Sequence, residues 1–458
     1  MLHREPLMEN LNAALTHALY GTDDQVARAL DGLRDAPCDD PVARVRDALV
    51  CNRSGRRTGV VLDDGFELPH LAQRYPDERL NFMVPAGYRP DSETGLIVLL
   101  HGGGIGSSRD VARNWLLPRQ EGASYHFGDE LTALDCIAVA PSNLLLDTYK
   151  RWSTPESDAY ILAVVEEASH RYAVDPNRVA IAGQSMGGFG AYHVAQTIGD
   201  RFSVVGCHAG AWVYGFWEGL RGVNLYSMHG VNDAAKGVRP RFTDIAYARF
   251  VHAVLSGLHL PHVHREHAGG HSLGDPEAHA MFAEFLAESG SYVRDPFPDS
   301  VVTASRKGAF SLAPSPHFFW VTIHTEHHDT FSGTFELDHV DTTEAQPSYC
   351  TTGFRLRRIR CPGGTVQAVN RGNNRFELTV QNIYGVTLWL HPGMVDLDRP
   401  VTVVVNGEAR FCDTVRCDLA TAVQSYRRRR DPAAICPAKI DLVLKLDDFE
   451  RVRQGIWQ

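Results

Sequence analysis

At 458 residues the chain is too long for one compact core, and two or three domains are expected. A composition of 44% hydrophobic and 22% charged residues is that of a globular protein and excludes wholesale disorder. The net charge of −10 is spread along the chain, which argues against nucleic acid as a partner, because phosphate binding needs a concentrated basic surface.

The first ten residues, Met1 to Asn10, lack the apolar core of a signal peptide, and no later stretch reaches the roughly 18 to 20 apolar residues of a membrane span. The expectation is a cytoplasmic protein with no membrane partner. Nine cysteines, an odd number with no Cys-x-x-Cys pair, read as free thiols in a reducing compartment.

Residues 8 to 50 read as helical. Leu11, Ala14, Leu15, Ala18 and Leu19 recur at helical spacing, and Val26, Ala29, Leu30 and Leu33 repeat the pattern after Gly21-Thr-Asp-Asp. From about residue 58 to 298, short apolar runs alternate with amphipathic helices, the pattern of a mostly parallel sheet covered on both faces. The strands are predicted at Leu96 to Leu100, Ile137 to Ala140, Val179 to Ala182, Val204 to Cys207 and Leu225 to Met228. A helix with Ile161, Val165, Ala168 and Tyr172 on one face ends before Asp175-Pro176. Past residue 299 the helical period fades. Phe318 to Ile323, Phe376 to Val380, Val386 to Leu390 and Val401 to Val405 read as strands, and Asn406-Gly407 as a hairpin turn. A short helix is expected near Ala420 to Arg428, and the basic run Arg427 to Arg430 reads as a solvated face or a local salt-bridge group. The expected organisation is a helical segment (1–57), an α/β domain (58–298) and an all-β, sandwich-like domain (299–458).

The strongest local signal is Gly183-Gln-Ser-Met-Gly-Gly188, directly after Val179-Ala-Ile-Ala and before a helical stretch. In a nucleophile elbow a serine occupies a sharp strand-to-helix turn, and flanking glycines avoid collision with the neighbouring strand or helix. Ser185 is the candidate nucleophile. His101-Gly-Gly-Gly104 follows the strand ending at Leu100. Acyl transfer passes through an oxyanion that backbone N–H groups must meet, and glycines let the chain approach so closely. The expected donors are Met186 together with Gly103 or Gly104. His101 reads as an orienting residue.

A serine nucleophile needs a base, and the base a carboxylate, in the chain order Ser, Asp or Glu, His. His229-Gly-Val-Asn-Asp233 follows the fifth strand, and Glu266-His-Ala-Gly-Gly-His271 precedes a helix starting near Asp275-Pro276. Asp233 is the candidate acid, with Asp244 and Asp275 as fallbacks, and His271 the candidate base. Most of the other nearby histidines (His252, His259, His262, His264, His267, His279) fall in a helix or strand. Trp152 and Trp212, with Trp115 and Trp217, read as walls of an acyl or alcohol pocket. His324-Thr-Glu-His-His328 reads as a solvated cluster rather than a metal site.

The span from Phe82 to His271 resembles the esterase and polyhydroxybutyrate-depolymerase-like branch of the α/β hydrolases, whose relatives are often labelled prolyl-oligopeptidase-like. The shared motifs are Leu99-Leu-His-Gly-Gly-Gly, Asp175-Pro-Asn-Arg-Val, Gly183-Gln-Ser-Met-Gly-Gly, the His-Gly-x-x-Asp ending at Asp233, and Gly270-His271. The tail resembles a small β domain appended to some of those proteins, through Val395-Asp-Leu-Asp-Arg-Pro-Val-Thr-Val-Val-Val-Asn-Gly. The resemblance implies a serine esterase acting on a small-molecule or oligomeric ester, with no metal or organic cofactor. A prolyl-oligopeptidase-like peptidase is the first alternative, although nothing in residues 1 to 57 reads as propeller blades. A binding or scaffold protein built on a hydrolase core is the second.

Overall fold

The computed structural model describes residues 5–103, 108–144, 152–210, 214–233, 243–306, 316–325, 334–341 and 355–444. Its centre is an eight-stranded sheet: β1 (Gly59–Asp64), β2 (Leu80–Val84), β3 (Thr94–Leu100), β4 (Cys136–Pro141), β5 (Val174–Gln184), β6 (Val204–His208), β7 (Leu225–Gly230) and β8 (His262–His267). The strands lie in the order β1-β2-β4-β3-β5-β6-β7-β8. β2 runs antiparallel to both its neighbours, and the pairings from β4 through β8 are parallel.

Every residue of β4, β6 and β7 is buried, as a parallel sheet covered on both faces requires. Alternation along β3 divides the core. Leu96, Val98 and Leu100 join a cluster with helices Pro155–Arg171 and Met186–Thr197, and Ile97 and Leu99 join another with helix Pro276–Ser289. Asp175-Pro176 does mark the end of the preceding helix, since Pro155–Arg171 stops short of it, but β5 begins at Val174 and runs through both residues.

The β-rich region forms two sheets. One carries Glu408–Asp413, Val401–Val405, Arg375–Gln381, Arg355–Asn370 and Thr334–Asp341, with Ser300–Arg306 also paired to the long strand. The other is made of His317–Phe318, Val321–Ile323, Gly385–Leu390 and Ala438–Val443. Asn406 and Gly407 both have positive φ, 49° and 86°, as the expected tight hairpin demands. Tyr214–Gly215, in the connection after β6, pairs with Asp338 and His339 and so adds a strand from the α/β region to the first of these sheets.

The N-terminal helices Glu5–Tyr20, Asp23–Arg34 and Pro41–Asp47 pack on the distant helix Leu419–Arg429 through Leu15, Leu19, Leu33, Val45, Val423 and Tyr426. The basic run at the end of that helix is a junction rather than a solvated face. Arg427 donates to the carbonyls of Ala18 and Leu19 at 3.0 and 2.9 Å, where a helix C-terminus favours a cation. Buried Arg429 bonds both carboxylate oxygens of buried Asp200 at 3.0 and 2.9 Å, and Asp200 also accepts from the Phe319 N–H at 3.0 Å. Asp200→Ala therefore removes the carboxylate that pairs with a buried guanidinium and should cost about 3–5 kcal/mol of stability in urea unfolding. The exposed pair Arg89–Asp91 is the control: Asp91→Ala should leave the midpoint where it is.

Candidate active site

β5 ends at Gln184, Ser185 has φ 55° and ψ −117°, and the helix Met186–Thr197 starts at the next residue. A non-glycine residue in this region of positive φ is strained, and the surroundings hold it there. A side chain on Gly183 would strike the backbone of Gly187, and one on Gly187 would strike the Leu100 carbonyl at the end of β3. The strand-to-helix turn can close only because both positions lack a Cβ. The Ser185 N–H donates to the His208 carbonyl of β6 at 3.0 Å, which ties the turn to the next strand.

Two loops at the same carboxyl edge of the sheet reach this hydroxyl. His271, four residues past β8, places Nε2 2.8 Å from Ser185 Oγ and Nδ1 2.8 Å from Asp233 Oδ2. Asp233 follows β7, and Gly230 lets the histidine loop lie across that strand end, since a Cβ there would meet the carbonyls of Gly269 and Gly270. Asp233 is buried and accepts three donors: His271, His229 Nε2 at 3.2 Å and Thr243 Oγ1 at 3.0 Å. Burial raises its carboxyl pKa, but the hydrogen bonds from His229 and His271 outweigh burial and hold it well below the usual carboxylate range. His229 Nε2 also lies 2.6 Å from the Thr243 carbonyl, so this nitrogen faces only acceptors and carries the proton.

The fallback acids serve elsewhere. Asp244 caps the helix Ile245–Gly257 by accepting from the Ala246 N–H, and Asp275 caps Pro276–Ser289 by accepting from the Glu277 N–H. Of the other histidines, His267 accepts from the Gly269 N–H at Nδ1, so its proton sits on Nε2, 3.1 Å from His208 Nε2. Burial pushes both of these imidazoles below the ordinary histidine range and keeps them neutral beneath the site.

The glycine loop approaches from β3. Gly103 packs beside Met186, the first residue of the elbow helix, so two expected oxyanion donors are neighbours; Gly104 lies outside the described residues. His101 is buried, with Nε2 2.7 Å from Ser108 Oγ and Nδ1 2.8 Å from the Gly102 carbonyl, in keeping with an orienting role. Trp152 corrects an expectation. Its side chain is 0% exposed and has no face left for a substrate; the indole N–H donates to the His101 carbonyl at 2.9 Å and the ring stands edge-on to His101. Trp115 and Trp217 are core residues as well, and Trp212 lies outside the described residues. Tyr125 and Thr243, both in contact with this constellation, carried no sequence signal of their own, and Gln184 and His229 stood inside the quoted motifs without an assigned role. Among the described residues no group of three or more His, Cys, Asp or Glu side chains is arranged to hold a metal ion.

A sheet in this strand order, with the serine elbow after β5 and the acid and histidine loops after β7 and β8, is an α/β-hydrolase fold. A family model described as "Putative esterase" matches residues 154–230. A bifunctional acetylxylan esterase/xylanase of Neocallimastix patriciarum is 28% identical over 74 residues, 16% of this chain and 11% of that protein, so the chain matches about a tenth of that relative's length. Among solved structures, a ferulic acid esterase of Anaeromyces mucronatus is similar over 53% of this chain and 94% of its own, at 16% identity and a TM-score of 0.35. S-formylglutathione hydrolase of Staphylococcus aureus is similar over 47% of this chain and 91% of its own, at 14% identity and a TM-score of 0.32. The acylaminoacyl peptidase of Pyrococcus horikoshii is similar over 52% of this chain and 42% of its own, at 13% identity and a TM-score of 0.36.

Proposed function

We propose that the protein is a serine hydrolase that cleaves carboxylic esters, small or oligomeric, through an acyl-enzyme. The observation that carries this reading is His271 bridging Ser185 Oγ and Asp233 Oδ2 with a 2.8 Å bond on each side. Ser185 Oγ attacks the ester carbonyl while His271 Nε2 takes its proton. The imidazolium so formed is steadied by Asp233, which Thr243 and His229 hold in place. The N–H groups of Met186 and Gly103 receive the oxyanion. His271 returns the proton to the departing alcohol. A water then attacks the acyl-enzyme, gives its proton to the same nitrogen, and the carboxylic acid leaves with Ser185 restored. A reducing, cytoplasmic setting agrees with Cys38, Cys51, Cys136, Cys207, Cys412, Cys417 and Cys436, which are free thiols.

The test pairs a fluorophosphonate probe with a substrate panel of p-nitrophenyl acetate, p-nitrophenyl butyrate and a proline p-nitroanilide peptide. The expected result is labelling at Ser185, turnover of the esters and slow or absent amide cleavage. Fast amide cleavage with inert esters makes the protein a peptidase, and a wild-type chain that takes no label is a binding platform.

A further inference from the structure

Next to Ser185 is a buried side chain that the hydrolytic steps do not use. Gln184 closes β5, and its amide faces two loops at once. Its Nε2 donates to the main-chain carbonyl of His271 at 2.8 Å, and its Oε1 accepts a short hydrogen bond from the Tyr125 hydroxyl. These partners fix the amide's orientation, since the His271 carbonyl can only accept. Tyr125 reaches on to the glycine loop, where its hydroxyl occupies the space a Cβ on Gly102 would need. Burial raises the Tyr125 hydroxyl pKa, so it stays protonated and remains the donor. The segment carrying Tyr125 also meets the histidine loop directly. Ser124 Oγ and Ser272 Oγ are 2.7 Å apart, and Gly274 passes so near the Gly122 carbonyl that a side chain would collide with it.

The elbow and its hydrogen bond to the His208 carbonyl of β6 fix Ser185. Asp233 holds the His271 ring, but the ring stands on a loop with 38% of its side chain exposed, and the hydrogen bond to the main-chain carbonyl of His271 itself comes from Gln184. We propose that Gln184, working with Tyr125, is a positioning residue that holds the His271 main chain and the Gly102–Gly103 loop at one height above Ser185. This rests on the reading of Ser185 and His271 as nucleophile and base. A displacement of about 1 Å in such a constellation costs on the order of a hundredfold in rate, so two hydrogen bonds to one amide carry a large part of the alignment.

The experiment measures kcat and KM for p-nitrophenyl butyrate in Gln184→Met, Tyr125→Phe and the double variant, each titrated with the fluorophosphonate probe. Gln184→Met keeps the side-chain length and removes both bonds. Its kcat should fall about 30- to 100-fold with KM within about twofold, because alignment is used in the transition state rather than in binding. Tyr125→Phe should cost about tenfold, and the double variant should match Gln184→Met, since the bonds act as one unit. Wild-type kcat in the labelled Gln184→Met protein, a rise in KM alone, or additive losses would overturn the positioning role while leaving the hydrolase reading intact. Should Gln184→Met fail to fold, Tyr125→Phe decides, since it deletes one hydroxyl and keeps the ring against Trp115. A wild-type protein inert to both ester and probe removes the hydrolase reading and this inference together.

Discussion

Ser185→Ala and His271→Ala should each lower kcat on an ester by roughly a millionfold, and the double variant should lose no more than either alone. The reason is geometric. His271 Nε2 has one reacting partner, Ser185 Oγ at 2.8 Å, and a hydroxyl with no base, or a base with no hydroxyl, does equally little. The neighbouring imidazoles cannot substitute. His229 spends Nε2 on Asp233 and the Thr243 carbonyl, and His267 spends its Nε2 on His208. A residual acceleration of about 10³–10⁴ over water should survive in the variants, because the Met186 and Gly103 N–H groups and the binding surface are untouched. Rates per mole of purified protein, with folding checked by circular dichroism, provide the measurement. His271→Ala with more than a hundredth of wild-type kcat would mean that another group takes the serine proton.

Ser185, Asp233 and His271, which the structure brings within hydrogen-bond reach of one another, could be singled out because each sits in a short contiguous motif whose residue types answer to a chemical need. The elbow glycines are the clearest case: the collisions expected of a Cβ are those found at Gly183 and Gly187. What escaped were residues whose meaning lies in a distant partner. Gln184 and Tyr125 are 59 positions apart, and Gln184 and His271 are 87 apart, so no local pattern shows that they pair, even though Gln184 stands in the elbow motif. The sheet divides in the same way. β3 through β7 announce themselves as apolar runs, whereas β8 is an edge strand of His, Arg and Glu with one side turned to solvent. β2 is interrupted by Asn81, a buried amide that donates to the Ala140 carbonyl at 2.9 Å and accepts from the Asp63 N–H at 3.0 Å. Aromatic residues misled for a physical reason. An indole fills a core as well as it lines a pocket, and only the carbonyl of His101 beside Trp152 separates the two uses. The arginine run was ambiguous in kind: its charge is visible in sequence, but Asp200 and the end of the first helix, which absorb it, are hundreds of residues away.

Asp233→Asn should lower kcat by about 10⁴ while Asp244→Asn and Asp275→Asn stay within a few-fold of wild type. The contrast follows from what each carboxylate does. Asp244 and Asp275 accept a backbone N–H at the start of a helix, a task an asparagine oxygen performs nearly as well. Asp233 receives three donors at a buried position, and an amide offers one acceptor end where the carboxylate offers two. The oxygen of the new amide can take the place of Oδ2 and keep both histidines, with its NH₂ turned to Thr243 Oγ1, which is able to accept. In that arrangement the tautomer of His271 survives and the charge alone is lost, so the imidazolium of the transition state faces a neutral group at the buried side of its ring. In the reverse arrangement the NH₂ faces Nδ1 of His271 and forces its proton onto Nε2, where it blocks attack by Ser185. Thr243 pairs with the amide in either arrangement, as acceptor in the first and donor in the second, so the site of the His271 proton separates the two. The His271 ring proton, followed by NMR, lies on Nδ1 in the Asp233→Asn variant if the first arrangement holds and on Nε2 if the second does. A loss in Asp275→Asn equal to that in Asp233→Asn would move the acid to the helix cap and undo the assignment.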